Sequence, residues 1–560
     1  MNPKYVFVTG GVMSGIGKGI TTASIGKLFQ FRGFKVSVIK IDPYLNVDPG
    51  TLNPVEHGEC FVTEDVWEFR PVDTRNGEVF RISEIDQDFG AYERFLGITI
   101  SPSHNITSGQ IYLETILKER KGEFLGKTVQ IIPHCTDIIK QRIRRVAEEE
   151  DLDVLLVECG GTVGDVESVI YLEAFRQMRL ELPKTDTALV HVTLVPFSRA
   201  VGQLKSKPTQ HSVKALQAMG LQPDVLVCRA EVDLAVDPGI QRKISLFSNV
   251  PVEAVISNPD LEFLYELPLV FERQHLGDHL CTHLDMKPRL VEFSKVTNFS
   301  EWEKMVRLFK EAKDTVTIAM PGKYVDIVDS YISINEALKH AGAHAGTRVK
   351  IEWIDTTNTR ALGEVLERVD GILLTPGFGA RAVDGMIWCA EYAMERKKPY
   401  LGICFGAQLF FIAYCRRVLG LEGAHTTEID PGAPYPVVDL MDEQRGVEEK
   451  GGTMRLGGHP VIIEEGTRLH EAYGCTRVVE RFRHRFHIRE SFLRGRGGDP
   501  PLVVSARDES GKIVNAIELA DPDHFMVGTQ FHPEFKSRPY DPSPIYQAFL
   551  RAVLDEKLKR

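Results

Sequence analysis

Short β-branched apolar runs, each followed by a helical pattern, recur along almost the whole 560-residue chain. In the first half YVFVTGG, KVSVIKID, VLLVECGG, TALVHVTLVPF and DVLVCRAE read as buried strands. A second series begins near residue 315 with DTVTIAMPGKY, RVKIEWID, GILLTPGFG, PYLGICFG and, late, FMVGTQFHPEF. Strands alternating with helices require crossover connections, so the pattern predicts an α/β fold with mostly parallel sheets flanked by helices. A chain this long exceeds what one hydrophobic core serves. The polar stretch DMKPRLVEFSKVTNFSEWEKMVRLFKEAKD separates the two series and carries a short amphipathic pattern. The expected division is therefore a domain over 1–284, a linker with a short helix over 285–314, and a second domain over 315–560.

Charge narrows the function. The chain has 67 basic against 78 acidic residues, a net −11, which argues against a general nucleic-acid binder but not against a site for one nucleotide. Nine cysteines show no paired spacing, so neither a disulfide framework nor a zinc site is indicated. No apolar run approaches the ~18 residues of a membrane span, and MNPKYVFVTGG enters a strand pattern directly, without a leader-like segment. The expectation is a cytoplasmic enzyme with no membrane partner.

Near the N-terminus, YVFVTGGVMSGIGKGITTASIGKLFQFRG reads as a strand, a Gly-rich turn containing Lys18, and a helix closed by Gly33. That order suits a phosphate-cradling loop, because glycines admit backbone N–H groups to the phosphate and the helix N-terminus adds positive potential. The spacing is irregular for a P-loop: five residues separate Gly11 from Gly17, and Gly19 follows the lysine. A purely structural Gly-rich turn is the alternative. Lys40 and Asp42 end the next strand, and Glu158, Asp165 and Glu167 follow VLLVECGG. Acidic residues at strand ends beside a phosphate loop are Mg²⁺ ligand candidates, and solvated loop carboxylates are the alternative.

In the second half, PYLGICFGAQLFF places Cys404 between two glycines where a strand pattern becomes helical, the arrangement of a nucleophile elbow. A lone cysteine is more often a buried hydrophobe. QFHPEF supplies the partners: His532 to take the thiol proton and Glu534 to orient the imidazole.

GGVxSxxGKG, KIDPYLNVDPGT, HGExFVTED, GxYERFLG, GKTVQIIPH, ECGGTVGDVES and KSKPTQHSVKAL, in that order, resemble the amidoligase half of the CTP synthase family. Cys404 with the distant HPE is similar to class I glutamine amidotransferases. The resemblance implies a P-loop, dethiobiotin-synthetase-like first domain and a glutaminase second domain. It implies ATP-dependent phosphorylation of the C4 oxygen of UTP, then displacement by ammonia from glutamine. Ser14, Gly15, Ile16, Gly17, Lys18, Gly19 and Asp88 match the ATP site; Asp88 and Glu158 match the Mg²⁺ ligands. Ser14, Lys40, Gln130, Asp165, Glu167, Lys205, Lys207, Gln210, Lys243 and Phe247 match positions around UTP or the inhibitor CTP. Gly377, Gln408, Glu428 and Arg483 match glutamine-holding positions, Gly377 also as an oxyanion-hole glycine. GGTMRLGG (451–458) is similar to the loop through which GTP activates the family, and a homotetramer is implied.

The chain departs from that pattern in four places. VWEFRPVDTRNGEVFRISEI follows VTED where the family has a short acidic run; its NG dipeptide predicts a hairpin. Ala91 stands where a histidine is usual, TPGFG lacks a second glycine before Gly377, and Phe405 follows the nucleophile where leucine is usual. The inserted stretch keeps two other readings open: an amidoligase with a different acceptor, and a regulatory or filament-forming relative with weak activity.

Overall fold

The computed structural model describes residues 2–53, 57–70, 79–200, 202–230, 236–289, 291, 293–322, 328–356, 362–377, 379, 382–447, 451–493 and 496–559. Packing separates two compact units. One comprises Met1–Pro49, Trp67–Phe80 and Asp88–Arg307; the other comprises Gly50–Val66, Arg81–Gln87 and Leu308–Arg560.

The first unit is built on a seven-stranded sheet in the order Val255–Asn258, Val225–Ala230, Thr187–Val195, Lys4–Gly10, Val154–Cys159, Val36–Asp42 and Asn105–Thr107. Every pairing in it is parallel. The strands are apolar on both faces because helices cover both, which is why they read as continuous hydrophobic runs. The strand order reverses direction beside Lys4–Gly10, so the carboxyl ends of Lys4–Gly10, Val36–Asp42 and Val154–Cys159 open a crevice suited to a ligand.

The second unit carries a nine-stranded sheet ordered Thr347–Asp355, Asp314–Gly322, Gly371–Leu374, Tyr400–Ile403, Met526–Thr529, Val514–Leu519, Leu502–Arg507, Arg455–Ile463 and Arg477–His484. The first five strands are parallel and the rest antiparallel. The five parallel strands are those that the apolar runs predicted. The antiparallel ones carry more polar residues, and among the described residues the one α-helix between them, Arg468–Tyr473, has six residues, too few to mark the strand–helix alternation of a parallel sheet.

The stretch 285–314 is less of a free connector than its polarity implied. Helix Phe299–Glu311 forms where expected, but Trp302, Met305, Val306 and Phe309 on its apolar face are buried, and the Trp302 indole donates to the Tyr265 carbonyl at 2.9 Å. The expected hairpin exists as strands Phe61–Phe69 and Phe80–Ile85, paired in a two-stranded sheet; its NG turn lies outside the described residues. Segments 50–66 and 81–87, which the sequence placed with the first domain, pack as part of the second unit.

Candidate functional sites

In the first unit, strand Lys4–Gly10 runs into the Gly-rich turn and helix Lys18–Gln30. Gly15 and Gly17 take positive φ of 69° and 87°, which directs successive backbone amides toward one side of the turn. Ser14 and Gly15 are exposed, while Ile16 is buried and anchors the turn from below. Lys18 opens the helix and donates to the Gly161 carbonyl at 2.9 Å. A Cβ at Gly19 would meet Asp88 Oδ1 at 2.6 Å, so any larger residue there would displace that carboxylate.

That contact brings Asp88, the first residue of helix Asp88–Leu96, against the turn. The buried Lys40 ammonium bridges Asp88 at 2.5 Å and Asp42 at 3.4 Å. Glu158, fully enclosed at the end of its strand, accepts from Thr22 Oγ1 and Tyr92 OH, each at 2.7 Å and each on Oε2. Burial raises its pKa, with Lys40 pulling the other way and Asp88 adding to the rise. Three carboxylates (Asp42, Asp88 and Glu158), Lys18, Lys40 and the Gly-rich turn thus converge at the carboxyl edge of the sheet, a donor set suited to a nucleotide triphosphate with Mg²⁺. Among the described residues Oε1 of Glu158 takes no hydrogen bond, and no three His, Cys, Asp or Glu side chains cluster as a metal site.

The remaining positions matched to the uridine nucleotide are placed less tightly. Asp165 accepts from the Thr162 amide at 2.8 Å, and Glu167 is exposed. Lys207 begins helix Lys207–Ala218, Gln210 is buried and donates to Ser206 Oγ at 3.0 Å, and Lys205 lies 3.5 Å from Gln203. Gln130, Lys243 and Phe247 are exposed. No hydrogen bond joins these residues to one another among the described residues. Ala91 is buried within helix Asp88–Leu96.

In the second unit, strand Tyr400–Ile403 ends at Cys404, which adopts φ 52° and ψ −102° and caps helix Phe405–Arg417. Such a backbone is costly for a non-glycine residue and is held by its surroundings: the Cys404 amide donates to the Thr529 carbonyl at 2.6 Å. Gly406 permits the tight passage, because a Cβ there would run into the Leu374 carbonyl. The sulfur receives a hydrogen bond from Gln530 Nε2 at 3.5 Å and donates to the Arg483 carbonyl at 3.6 Å.

His532 follows strand Met526–Thr529, and its Nδ1 lies 2.7 Å from Glu534 Oε1. Burial alone would lower the imidazole pKa, but Glu534 and Cys404 outweigh it and raise it from 6.5 to about 10. Among the described residues its Nε2 is buried without a conventional hydrogen-bond partner, and the Phe535 ring stacks on the imidazole at 5.2 Å.

Gln408 is buried, donating to the Phe486 carbonyl at 2.9 Å and to Gln530 Oε1 at 3.0 Å. Gly377 is half-buried with open space beside its Cα. Glu428 accepts from the Gly379 amide at 2.8 Å and so ties down the loop after Gly377. Arg483, matched to a glutamine-holding position, has an internal partner: Nε donates to Glu84 Oε1 at 2.7 Å and Nη2 to the Gly50 carbonyl at 3.2 Å. In 451–458, Arg485 braces the loop through Thr453 Oγ1 at 2.9 Å and Gln444 Oε1 at 2.6 Å. Sequence reasoning missed Gln530, Glu84 and the Thr22–Tyr92 pair on Glu158. Gln530 stood two residues before His532 in a quoted motif; the others carry no local signal.

Residues 4–286 match the family model described as CTP synthase N-terminus, and residues 326–552 match glutamine amidotransferase class-I. The chain is 50% identical over 552 residues to a CTP synthase of Archaeoglobus fulgidus, with 98% of each chain covered. It is 48% identical over 558 residues to one of Pyrococcus abyssi, covering 100% of this chain and 99% of that one. Among solved structures, the glutaminase domain of Trypanosoma brucei CTPS with bound acivicin is 32% identical over 43% of this chain and 94% of that chain, with a TM-score of 0.39. With matched models over both halves and relatives near half-identical end to end, the chain belongs to the CTP synthase family, an amidoligase and a class I glutamine amidotransferase in one polypeptide.

Proposed function

We propose that the chain makes CTP from UTP, ATP and glutamine, the amidoligase step falling to residues 1–284 and glutamine hydrolysis to 315–560, in the cytoplasm. The observation that carries the reading is the buried Cys404, His532 and Glu534 constellation in a chain that also holds the Lys18, Lys40, Asp88 and Glu158 cluster.

At the glutamine site, the Cys404 thiolate attacks the side-chain carbonyl carbon while His532 Nε2 holds the proton taken from sulfur. The tetrahedral oxyanion faces the loop containing Gly377. Collapse breaks the C–N bond, the imidazolium proton goes to the leaving nitrogen, and ammonia departs. Water then hydrolyses the γ-glutamyl thioester to glutamate. Glu534 fixes the imidazole tautomer throughout. Gln408, Glu428 and Arg483 hold glutamine in this reading.

At the nucleotide site, the turn 14–19 binds the ATP phosphates and Lys18 and Lys40 balance their charge. The UTP C4 oxygen attacks the γ-phosphorus, ADP leaves, and ammonia then replaces phosphate at C4. Asp165, Glu167, Gln130, Lys205, Lys207, Gln210, Lys243 and Phe247 bind UTP or, in feedback, CTP. Asp88 and Glu158 would hold Mg²⁺, which supplies charge neutralisation on the transferring phosphoryl group when bound. GTP activates through 451–458, and the active form is a homotetramer.

The test follows CTP formation with ATP and Mg²⁺, once with glutamine plus GTP and once with ammonium chloride. Turnover in both supports the reading. Glutaminase activity without CTP in either arm overturns the UTP assignment in favour of another acceptor.

A further inference from the structure

Segments 50–66 and 81–87 are built into the second unit around both catalytic residues. Glu84, 1% exposed in its side chain, ion-pairs Arg483 at 2.7 Å, and the backbone carbonyl of that same arginine accepts the Cys404 thiol. Arg481, two residues back on the same face of strand Arg477–His484, is fully buried, donates to the Val62 carbonyl at 2.9 Å and lies 5.2 Å over the Phe61 ring. Phe61 in turn meets Phe535 edge-on at 5.1 Å, and Phe535 is the ring stacked on His532.

We propose that Glu84 is a positioning residue of the glutamine site: by holding and neutralising Arg483 it keeps the Cys404 thiol seated on the Arg483 carbonyl in the resting enzyme. The inference rests on the reading of Cys404 as the glutaminase nucleophile. A carbonyl can only accept, so it favours the protonated thiol, while Gln530 Nε2 donates to the sulfur and favours the thiolate. His532, whose imidazole Glu534 and the sulfur hold protonated, faces the sulfur from the other side and, like Gln530, favours the thiolate. The charged and titratable groups around the sulfur are His532 backed by Glu534 on one side, and Arg483 with Glu84 and Cys60 on the other. The helix that Cys404 caps presents the uncharged Gln408.

Removing the Glu84 charge leaves the Arg483 guanidinium uncompensated beside the sulfur and loosens the strand that offers the carbonyl. Both changes favour thiolate. Removing the guanidinium instead leaves Glu84 uncompensated and disfavours it. A merely structural role for the pair would shift both variants the same way.

The experiment alkylates the full-length enzyme with iodoacetamide across pH and quantifies the Cys404 peptide by mass spectrometry, which separates it from the exposed Cys475. Ammonia-dependent CTP formation reports folding. Glu84→Gln is expected to lower the alkylation midpoint by about half a pH unit, and Arg483→Met to raise it. Shifts of the same sign, or an unchanged midpoint in either variant, overturn the proposal. If Glu84→Gln does not fold, Arg483→Met decides alone, an unchanged or lowered midpoint overturning it. Separately, complete alkylation of the unmodified enzyme must end glutamine-dependent synthesis and spare the ammonia-dependent reaction; failure there sinks the reading of Cys404, while the midpoints remain interpretable.

Discussion

His532 Nδ1 sits 2.7 Å from Glu534 Oε1, and both side chains are closed off from solvent. The carboxylate can only accept, so Nδ1 carries the proton and Nε2 is turned to the sulfur side. Glu534→Gln keeps the shape but offers an amide that can present the wrong group to Nδ1. Glutamine-dependent kcat should fall by about 100- to 10,000-fold, with ammonia-dependent kcat unchanged. Steady-state rates with each nitrogen donor check this.

The same pair makes stability depend on pH. The folded imidazole pKa of about 10 lies above the ordinary 6.5, so the folded state holds a proton that the unfolded state releases. That stabilisation is complete below about 6.5 and is lost as pH rises through about 10. Denaturant midpoints should therefore fall between those limits in the unaltered protein. In Glu534→Gln, which removes the anion nearest the imidazole, the fall should be shallower. An equal slope in both proteins would contradict this account.

The elbow gives a stability prediction with a sign that chemistry alone would not supply. Cys404 holds φ 52°, a strain glycine does not feel, so Cys404→Gly should be more stable than Cys404→Ala by about 1 kcal/mol or more. Both variants should lose glutamine-dependent synthesis and keep ammonia-dependent synthesis. Gly406→Ala should cost about 1–3 kcal/mol, because its methyl group would meet the Leu374 carbonyl. Thermal or urea unfolding of the three variants ranks them directly.

What the sequence revealed follows from which interactions are local. The five parallel strands of the second sheet and helix Phe299–Glu311 were visible because their apolar periodicity is local, and Cys404 was visible because small residues and a distant HPE bracket it. Strand Arg477–His484 was not, since RVVERFRH reads as charged. Two of its arginines are held by residues some 400 positions away, Arg481 by the Val62 carbonyl and Arg483 by Glu84. Strand Asn105–Thr107 has three residues, too few to show a period. The hairpin was foreseen, but the packing of its 61–66 and 81–85 portions into the second unit depends on such long-range pairings and carries no local signal.

At the nucleotide site the closest constraint is steric. Gly19 leaves just enough room for the Asp88 carboxylate, which Lys40 holds from the other side. Adding one methyl group in Gly19→Ala would press Oδ1 away from the turn, disturbing the carboxylate without changing any charge. Synthesis from glutamine and from ammonia should then fall together, by about 10-fold or more, while glutamine hydrolysis, which uses none of these atoms, continues. Lys18→Ala should remove both syntheses more completely, because a charge is lost at the phosphates. If Gly19→Ala spared ammonia-dependent synthesis, Asp88 would have no part in phosphoryl transfer. Measuring glutaminase and CTP formation on the same preparation separates that outcome from misfolding.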